Sequence, residues 1–149
     1  MADQQDMLEL IYGASLSHDA DGIVVTFRDL ENAFSWGGTE EEAIFNAQEA
    51  LDGILESMRS QDQEIPLPSP IQDGEIGIPV SPEFAVPVLL HALRTQQQKS
   101  LAQVAKTLGK SYQAYQRMEK MGANLTLKSL KLAAAALGAT VEIRFKKVA

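Results

Sequence analysis

Apolar and polar side chains alternate along the first forty residues of the chain. Apolar residues take every second position in segments 8–16 and 23–27, which is the period of a strand with one buried face. The residues between them, HDADG at 18–22, predict a turn, so the two segments are expected to form a hairpin. Phe34 and Trp36 then share one face of a third short strand, and two glycines end it.

A helical period follows the two glycines. Thr39 stands three residues before Glu42, the spacing of a capping box, and this predicts the start of a helix. Apolar residues recur at helical spacing from Ala43 to Met58, and this stripe is expected to pack on the sheet. The other face is expected to lie in water and carries the acids Glu40, Glu41, Glu49, Asp52 and Glu56.

Proline and glycine interrupt the chain between residues 60 and 79. This segment holds four prolines and two glycines, which prevent a long regular element and predict a boundary between two modules. The alternation in EIGIPV, at its end, is compatible with an edge strand. We therefore expect one domain over residues 1–70, a linker over 71–82 and a second domain over 83–149.

The second domain has the pattern of several short helices. The first covers residues 84–97. Ser100 opens the second helix, with Gln103 completing a capping box, and Gly109 ends it because glycine readily takes the left-handed conformation found at helix C-termini. Ser111 caps the third helix.

Spacing within the third helix turns Tyr115 and Met118 inward. A fourth helix is expected after Gly122, with an apolar face from Leu127 to Leu137. The last segment, TVEIRFKKV at 140–148, returns to period two and predicts a final strand. The expected fold class is α+β, with an antiparallel sheet and helix followed by an all-α domain that has a C-terminal strand.

Formal charge is divided between the two halves of the chain. Residues 1–78 contain 17 acids and only two arginines, whereas residues 79–149 contain three acids and 11 lysines and arginines. The whole chain has a formal net charge of -7, so the first half carries -15 and the second +8. Such an asymmetry favours two modules with different partners, one partner being cationic and the other an anionic polymer. The alternative is an acidic half that is only a solvated surface.

The second and third helices of the basic half have the outline of a helix-turn-helix. Two short helices joined by a turn of about three residues containing glycine can place the second helix in the DNA major groove. In that position Gln113 can bond adenine and Arg117 can bond guanine or phosphate, while Lys106, Lys110 and Lys120 attract phosphates. The outward face of the third helix comprises Ser111, Tyr112, Gln113, Gln116 and Arg117. The alternative is an ordinary four-helix packing unit with a basic surface.

Composition argues against several other kinds of site. The chain has no cysteine, which excludes disulfides and thiolate metal ligands, and no metal, cofactor or catalytic site is expected. Neither a signal sequence nor a run of about 20 apolar residues is present, so we expect a cytoplasmic protein without membrane contact. Domains of this size have small cores, and a homodimer or tetramer is therefore expected.

Residues 100–138 resemble the lambda-repressor/Cro-type helix-turn-helix. The resemblance rests on Ala105, Gly109, Ser111, the Arg117 and Glu119 pair, and the final Leu137 and Gly138. It implies that Tyr112, Gln113 and Arg117 read bases and that Ser100 and Asn124 contact phosphates. The DNA-binding residues expected are Ser100, Lys110, Ser111, Tyr112, Gln113, Gln116, Arg117, Lys120 and Asn124. A symmetric dimer is expected to bind operator DNA as an inverted repeat, with half-site centres about 34 Å apart or a multiple of that.

The first half resembles the HicB antitoxin family. Two stretches carry the resemblance, TFRDLENAFSWGGTEEEAIFNAQEAL at 26–51 and EIPLPSP at 64–70. The chain departs from the family pattern at Arg28, where a proline is usual, and at residues 31–33, where Glu-Asn-Ala replaces Pro-Gly-Cys. The matching residues are Phe27, Asp29, Leu30, Gly38, Thr39, Glu42, Ala43, Ala47, Leu51, Ile65, Pro66 and Pro68.

The resemblance implies an antitoxin of a HicA/HicB system. A partial ribonuclease H-like first domain would bind and mask a small basic messenger-cleaving HicA toxin, and the helix-turn-helix would repress the shared operon. The toxin contacts implied are Asp29, Glu31, Phe34 and Trp36. An acidic half suits a cationic, RNA-binding partner on electrostatic grounds alone.

Two other functions remain open at this point. A ribonuclease H fold usually works with carboxylates around magnesium, and the candidates are Asp19, Asp21, Asp29, Glu49 and Asp52. We do not expect an enzyme, because two of these acids lie in a turn and the helical ones follow the solvent face. Alternatively, the first half is a small-molecule sensor that controls a stand-alone repressor.

Overall fold

The chain forms two compact units in the computed structural model, which describes residues 7–148. The first unit ends at Ala85 and the second begins at Val86. Formal charge is -16 before this boundary and +9 after it, so the opposite charges lie on separate folded units. The expected boundary is wrong in one respect. The predicted linker 71–82 contains a strand that pairs with the central sheet, and this segment therefore belongs to the first unit.

A four-stranded antiparallel sheet and one helix make up the first unit. The elements are β1 (Ile11–Asp19), β2 (Gly22–Phe27), β3 (Phe34–Gly37), α1 (Glu40–Ser60) and β4 (Ile76–Pro79). The strand order in the sheet is β3-β2-β1-β4. The predicted hairpin is confirmed, since β1 pairs with β2 from Ala14 to Asp19. The edge strand suggested by EIGIPV is β4, where a proline without an N–H is tolerated.

Helix α1 packs on one face of the sheet. The threonine half of the predicted capping box is confirmed, because the Thr39 hydroxyl accepts the backbone N–H of Glu42 at 3.2 Å. Ser35 of β3 is buried and donates its hydroxyl to the Ala43 carbonyl at 3.0 Å. Gly37 lets the helix approach this closely, since a Cβ there would stand 2.3 Å from the backbone nitrogen of Ala43. The core completed by this packing comprises Tyr12, Ala14, Val25, Ala43, Ala47, Leu51, Leu55 and Ile78.

Two polar contacts fasten the proline-containing segment to the first unit. The Tyr12 hydroxyl donates to the Pro66 carbonyl at 2.7 Å. Asp52 of α1 accepts both the backbone N–H and the hydroxyl of Ser81. The expectation that Asp52 lies on the solvent face is therefore wrong: its side chain is half-buried because the chain that follows β4 returns to α1.

The second unit contains the helices of the basic half. They are α2 (Pro82–Gln96, which begins before the boundary), α3 (Leu101–Leu108), α4 (Tyr112–Met118) and α5 (Leu127–Ala136). Tyr115 and Met118 turn inward as predicted. They join a core of buried residues that also includes Leu90, Val104, Ala105, Ala133 and Leu137. Within residues 7–148, no helix combines the length and the apolar character needed to cross a membrane.

Two expectations for the C-terminal part of the chain are wrong. Residues 140–148 form no strand, because a strand needs a partner and none of the described residues pairs with this segment. Leu127 is exposed at the start of α5, so the predicted apolar face is wrong at this residue. The rest of that face is confirmed, because Leu130 packs on the core and Ala134 and Leu137 are buried, with Ala133 beside them.

Two glycine substitutions should have opposite effects on the first unit. Gly37→Ala should lower its free energy of unfolding by about 1–3 kcal/mol, because the added methyl group meets the α1 backbone. Gly53→Ala should raise it by about 0.5–1 kcal/mol, because Gly53 lies inside α1 with open space around it. Urea unfolding followed by fluorescence measures both effects, since the chain's single tryptophan, Trp36, lies in β3. Equal effects of the two substitutions would contradict the packing described here.

Candidate functional sites

Helices α3 and α4 are joined by a sharply defined turn. Ser100 and Gln103 form the predicted capping box at the start of α3. Gly109 ends α3 in the left-handed conformation at φ 66°, and the N–H of Lys110 donates to the Ala105 carbonyl at 2.9 Å. Ser111 then caps α4 by accepting the N–H of Ala114 at 3.1 Å. The turn therefore spans only residues 109–111, as a helix-turn-helix requires.

The outward face of α4 is exposed along its whole length. We call this face the recognition surface, and it comprises Ser111, Tyr112, Gln113, Gln116 and Arg117. All nine residues predicted to bind DNA are exposed. Two of them have a second function, because the hydroxyls of Ser100 and Ser111 already cap helices. Their oxygens stabilise the first turns of α3 and α4.

An open hollow of about 420 Å³ lies at the end of α4. Arg117, Lys120 and Asn124 all line it, so three of the predicted DNA-binding residues lie around one concavity. Two of these side chains are cationic and the third is an amide, which is a composition suited to phosphate oxygens.

A buried ion pair holds the C-terminal end of α4. Arg94 of α2 donates to both carboxylate oxygens of Glu119, at 2.8 and 3.0 Å, and donates to the Lys99 carbonyl at 3.0 Å. His91 lies 3.3 Å from the same carboxylate. Burial alone would raise the pKa of Glu119, but the hydrogen bonds from Arg94 bring it below its ordinary value. The ionised pair therefore connects α2 to the segment that carries the recognition surface.

The sequence indicates that Glu119 is buried, although the ion pair itself was not predicted. Glu119 follows the inward residues Tyr115 and Met118 at spacings of four and one, which places it on the inner side of α4. It is also the only acid between Leu108 and Lys120. Its partner on α2 is separated by 25 residues in sequence, so local spacing could not identify it.

Part of the face of the sheet opposite α1 is open to solvent in the first unit. Directly paired residues share a face, so Phe34, Thr26 and Ser15 form one row across β3, β2 and β1, and Trp36, Val24 and Ser17 form the next. We call these six residues the open face. Phe34 is 68% exposed and Trp36 is 49% exposed, although both are large aromatic side chains. The turn before β3 adds the exposed carboxylate of Glu31.

Asp29, the fourth predicted toxin contact, is engaged within the first unit. Its carboxylate accepts the backbone N–H of Ser69 at 2.8 Å and also the Ser69 hydroxyl. The backbone N–H of Ser69 lowers the pKa of Asp29 below its ordinary value. Arg28 contacts the same carboxylate and binds both oxygens of Glu75, at 2.9 and 3.0 Å. This cluster joins the end of β2 to the proline-containing segment beside the open face.

Three of the five acids weighed as magnesium ligands make separate structural contacts. Asp19 accepts the N–H groups of Asp21 and Gly22 in the hairpin turn, while Asp29 binds Ser69 and Asp52 binds Ser81. Over residues 7–148, no group of three or more His, Asp or Glu side chains is close enough to hold a metal ion.

Two family models match the chain, one in each half. A model described as the HicB-like antitoxin of bacterial toxin-antitoxin systems matches residues 11–89, and a helix-turn-helix model matches residues 90–143. The first match covers all four strands and α1 and extends into α2. The second contains α3, the turn and α4.

Two bacterial relatives are similar over most of their length. Antitoxin HicB 2 of Photorhabdus laumondii is 33% identical over 132 residues, which are 89% of this chain and 94% of the relative. Antitoxin HicB of Escherichia coli K12 is 31% identical over 117 residues, or 78% and 85% of the two chains. Among solved structures, a HicA3 and HicB3 toxin-antitoxin complex has a chain 30% identical to this one, with a TM-score of 0.36. The match covers 42% of this chain and 71% of that chain.

The free energy of unfolding of the second unit should depend on pH through the ionisation of Glu119. Because its pKa is lowered by folding, the stability it contributes is present above its ordinary pKa of 4.5 and is lost as the pH falls through the lower folded value. Glu119→Gln should remove this dependence. It should also cost about 3 kcal/mol or more near neutral pH, since Arg94 loses its buried counter-charge.

Amide hydrogen exchange in α4 measures both effects in the intact chain. Protection should fall in the unsubstituted protein below about pH 4.5 and should change less with acid in Glu119→Gln. An acid response of the same size in both proteins would show that another group controls the stability of this unit.

Proposed function

The chain belongs to the HicB-like antitoxin family and carries a helix-turn-helix, and from this premise we propose that it neutralises a HicA-type toxin and represses its own operon. The observation that carries the proposal is the separation of charge between the two folded units, -16 on the first and +9 on the second. A single chain with these two units can bind a cationic protein and an anionic polymer at different surfaces. Repression and neutralisation are therefore separable activities.

The second unit would bind operator DNA through the recognition surface. Gln113 can bond adenine and Arg117 can bond guanine, while Lys110, Lys120 and Asn124 contact phosphates. The side chains of Gln113 and Arg117 are exposed on α4. The buried ion pair between Arg94 and Glu119 fixes the orientation of that helix. A dimer presents two such helices and would read an inverted repeat. Because lysine contacts to phosphate release counterions, operator affinity should fall as salt rises.

The first unit would mask the toxin through its open face. Phe34 and Trp36 provide exposed aromatic surface of the kind that anchors protein interfaces, and Glu31 lies at the edge of this surface. The acidic charge of the unit would speed association with a small basic protein. Asp29 contributes indirectly, because its bonds to Ser69 hold the proline-containing segment against the end of β2.

We propose no catalytic activity for this chain. Asp19, Asp29 and Asp52 are each committed to structural hydrogen bonds in different parts of the first unit. Neutralisation by masking requires only a complementary surface. Cytoplasmic location follows from this proposal, since both the messenger-cleaving toxin and the operator would be reached there.

Arg117→Ala should weaken operator binding by about tenfold or more, because a bidentate base contact contributes about 1–3 kcal/mol. Neutralisation of toxin in a growth-rescue assay should not change, since Arg117 lies in the unit of opposite charge. Lys131→Ala is the matched control: it removes one exposed positive charge from α5 and should cause a smaller loss. Anisotropy titration with an operator duplex measures both. Equal losses in the two variants would leave only non-specific attraction to explain binding.

Phe34→Ser should raise the dissociation constant for a HicA-type toxin by about tenfold or more, because truncation of a central aromatic anchor typically costs more than 1–2 kcal/mol. Phe45→Ser is the matched control, since Phe45 is similarly exposed but lies on α1, away from the open face. Calorimetric titration with purified toxin compares the two, and operator binding should be unaffected in both. A larger loss in Phe45→Ser would place the toxin on α1 and reject the open face.

A further inference from the structure

The C-terminal segment, residues 139–147, combines strand-like patterning with exposure to solvent. Phe145 is 97% exposed and Ile143 is 61% exposed. Charged side chains at 142, 144, 146 and 147 surround them. The segment has no strand partner among residues 7–148, although its sequence alternates as a half-buried strand does. An exposed segment with alternating apolar side chains is a surface on which another strand can dock.

The sequence of this segment is complementary to itself in one antiparallel register. When two copies are centred on Ile143, Val141 of one copy lies opposite Phe145 of the other, and both share the apolar face with Ile143. On the opposite face, Glu142 of each copy lies opposite Arg144 of the other. Two apolar pairs and two opposite-charge pairs therefore form around one two-fold axis.

Neighbouring registers place like charges at the two-fold axis. Centring the pair on Glu142 sets two carboxylates opposite each other. Centring it on Arg144 keeps apolar pairs between Ile143 and Phe145 and opposite-charge pairs between Glu142 and Lys146, but sets two guanidinium groups opposite each other. Like charges directly opposed across strands are destabilising. The like-charge pair at the axis disfavours both neighbouring registers, so Ile143 is the favoured centre.

We propose that the C-terminal segments of two copies pair as an antiparallel ribbon centred on Ile143 and hold the protein as a dimer. An isolated two-stranded ribbon is marginal in water, so its apolar face needs further cover. The same unit leaves Leu127 and Leu132 of α5 exposed, which supplies apolar surface for that purpose. This inference deepens the proposed function, because a two-fold dimer is the form that reads an inverted repeat.

A charge exchange between positions 142 and 144 tests the register in the full chain. Arg144→Glu places two carboxylate pairs across the axis and should raise the dimer dissociation constant by about tenfold or more. Glu142→Lys should act in the same way. The double variant, Glu142→Lys with Arg144→Glu, restores opposite charges and should recover most of the affinity. Sedimentation equilibrium of the protein alone measures all four proteins, and thermal unfolding checks that each is folded.

Cysteine cross-linking gives an independent measure of the register, because the natural chain has no cysteine. Ile143→Cys places two thiols opposite each other at the axis, so mild oxidation should yield a covalent dimer rapidly. Val148→Cys is the matched control: it is 95% exposed, but its opposite residue in this register would be Gly138, which ends α5 in a left-handed conformation. It should cross-link much more slowly.

The outcomes separate this inference from the proposed function. Dimers that persist unchanged in Arg144→Glu, or equal cross-linking at 143 and 148, would overturn the ribbon while leaving a dimeric repressor intact. If the single variants dissociate and the double variant does not recover the dimer, the proposed register is also rejected. An unsubstituted protein that stays monomeric and does not bind operator DNA would instead reject the proposed repressor itself.

Discussion

Two small cores constrain the whole structure. The first unit has 85 residues and the second 64, and domains near this size bury only about 60% of the surface that their unfolded chains expose. Each unit therefore adds specific polar ties to its apolar packing. In the first, Tyr12 binds Pro66 and Asp52 binds Ser81, which hold long loops against the sheet. In the second, the pair between Arg94 and Glu119 joins the first helix to the end of α4.

The departure from the HicB pattern at position 28 has a structural explanation. An arginine there reaches across Gly13, whose missing side chain leaves room for it, and binds Glu75. It also donates to the Ser69 hydroxyl and to the Pro70 carbonyl. A loop that the family pattern stiffens with proline is thus fastened in this chain by charge and hydrogen bonds. The neighbouring Asp29 takes part in the same cluster rather than standing free for a partner.

Charge separation gives the two surfaces their different chemistry. The net charge of -7 would oppose DNA at long range, but the opposing charge is concentrated on the first unit. The recognition surface therefore lies in a locally cationic unit. The open face, in contrast, combines uncovered aromatics with an acidic unit, which suits a cationic protein better than a nucleic acid. A toxin bound there would reduce the negative charge of the whole assembly.

The sequence alone determined the local features of the fold. It predicted the hairpin, the caps at Thr39, Ser100 and Ser111, the helix end at Gly109 and the inward turn of Tyr115, because each depends on residues within about four positions. The α+β class and the family resemblance were also readable at this level, and both are confirmed. The identity of the toxin and DNA contacts is still a proposal.

Tertiary structure alone decided which distant residues meet. Pairing of β4 with β1 moved the expected linker into the sheet, and Ser81 drew Asp52 out of the solvent. The partner of Glu119 lies 25 residues away, and the expected strand at 140–148 is absent because no described segment pairs with it. Periodicity reports which side of an element is apolar. It does not report what that side packs against, since such contacts depend on the path of the whole chain.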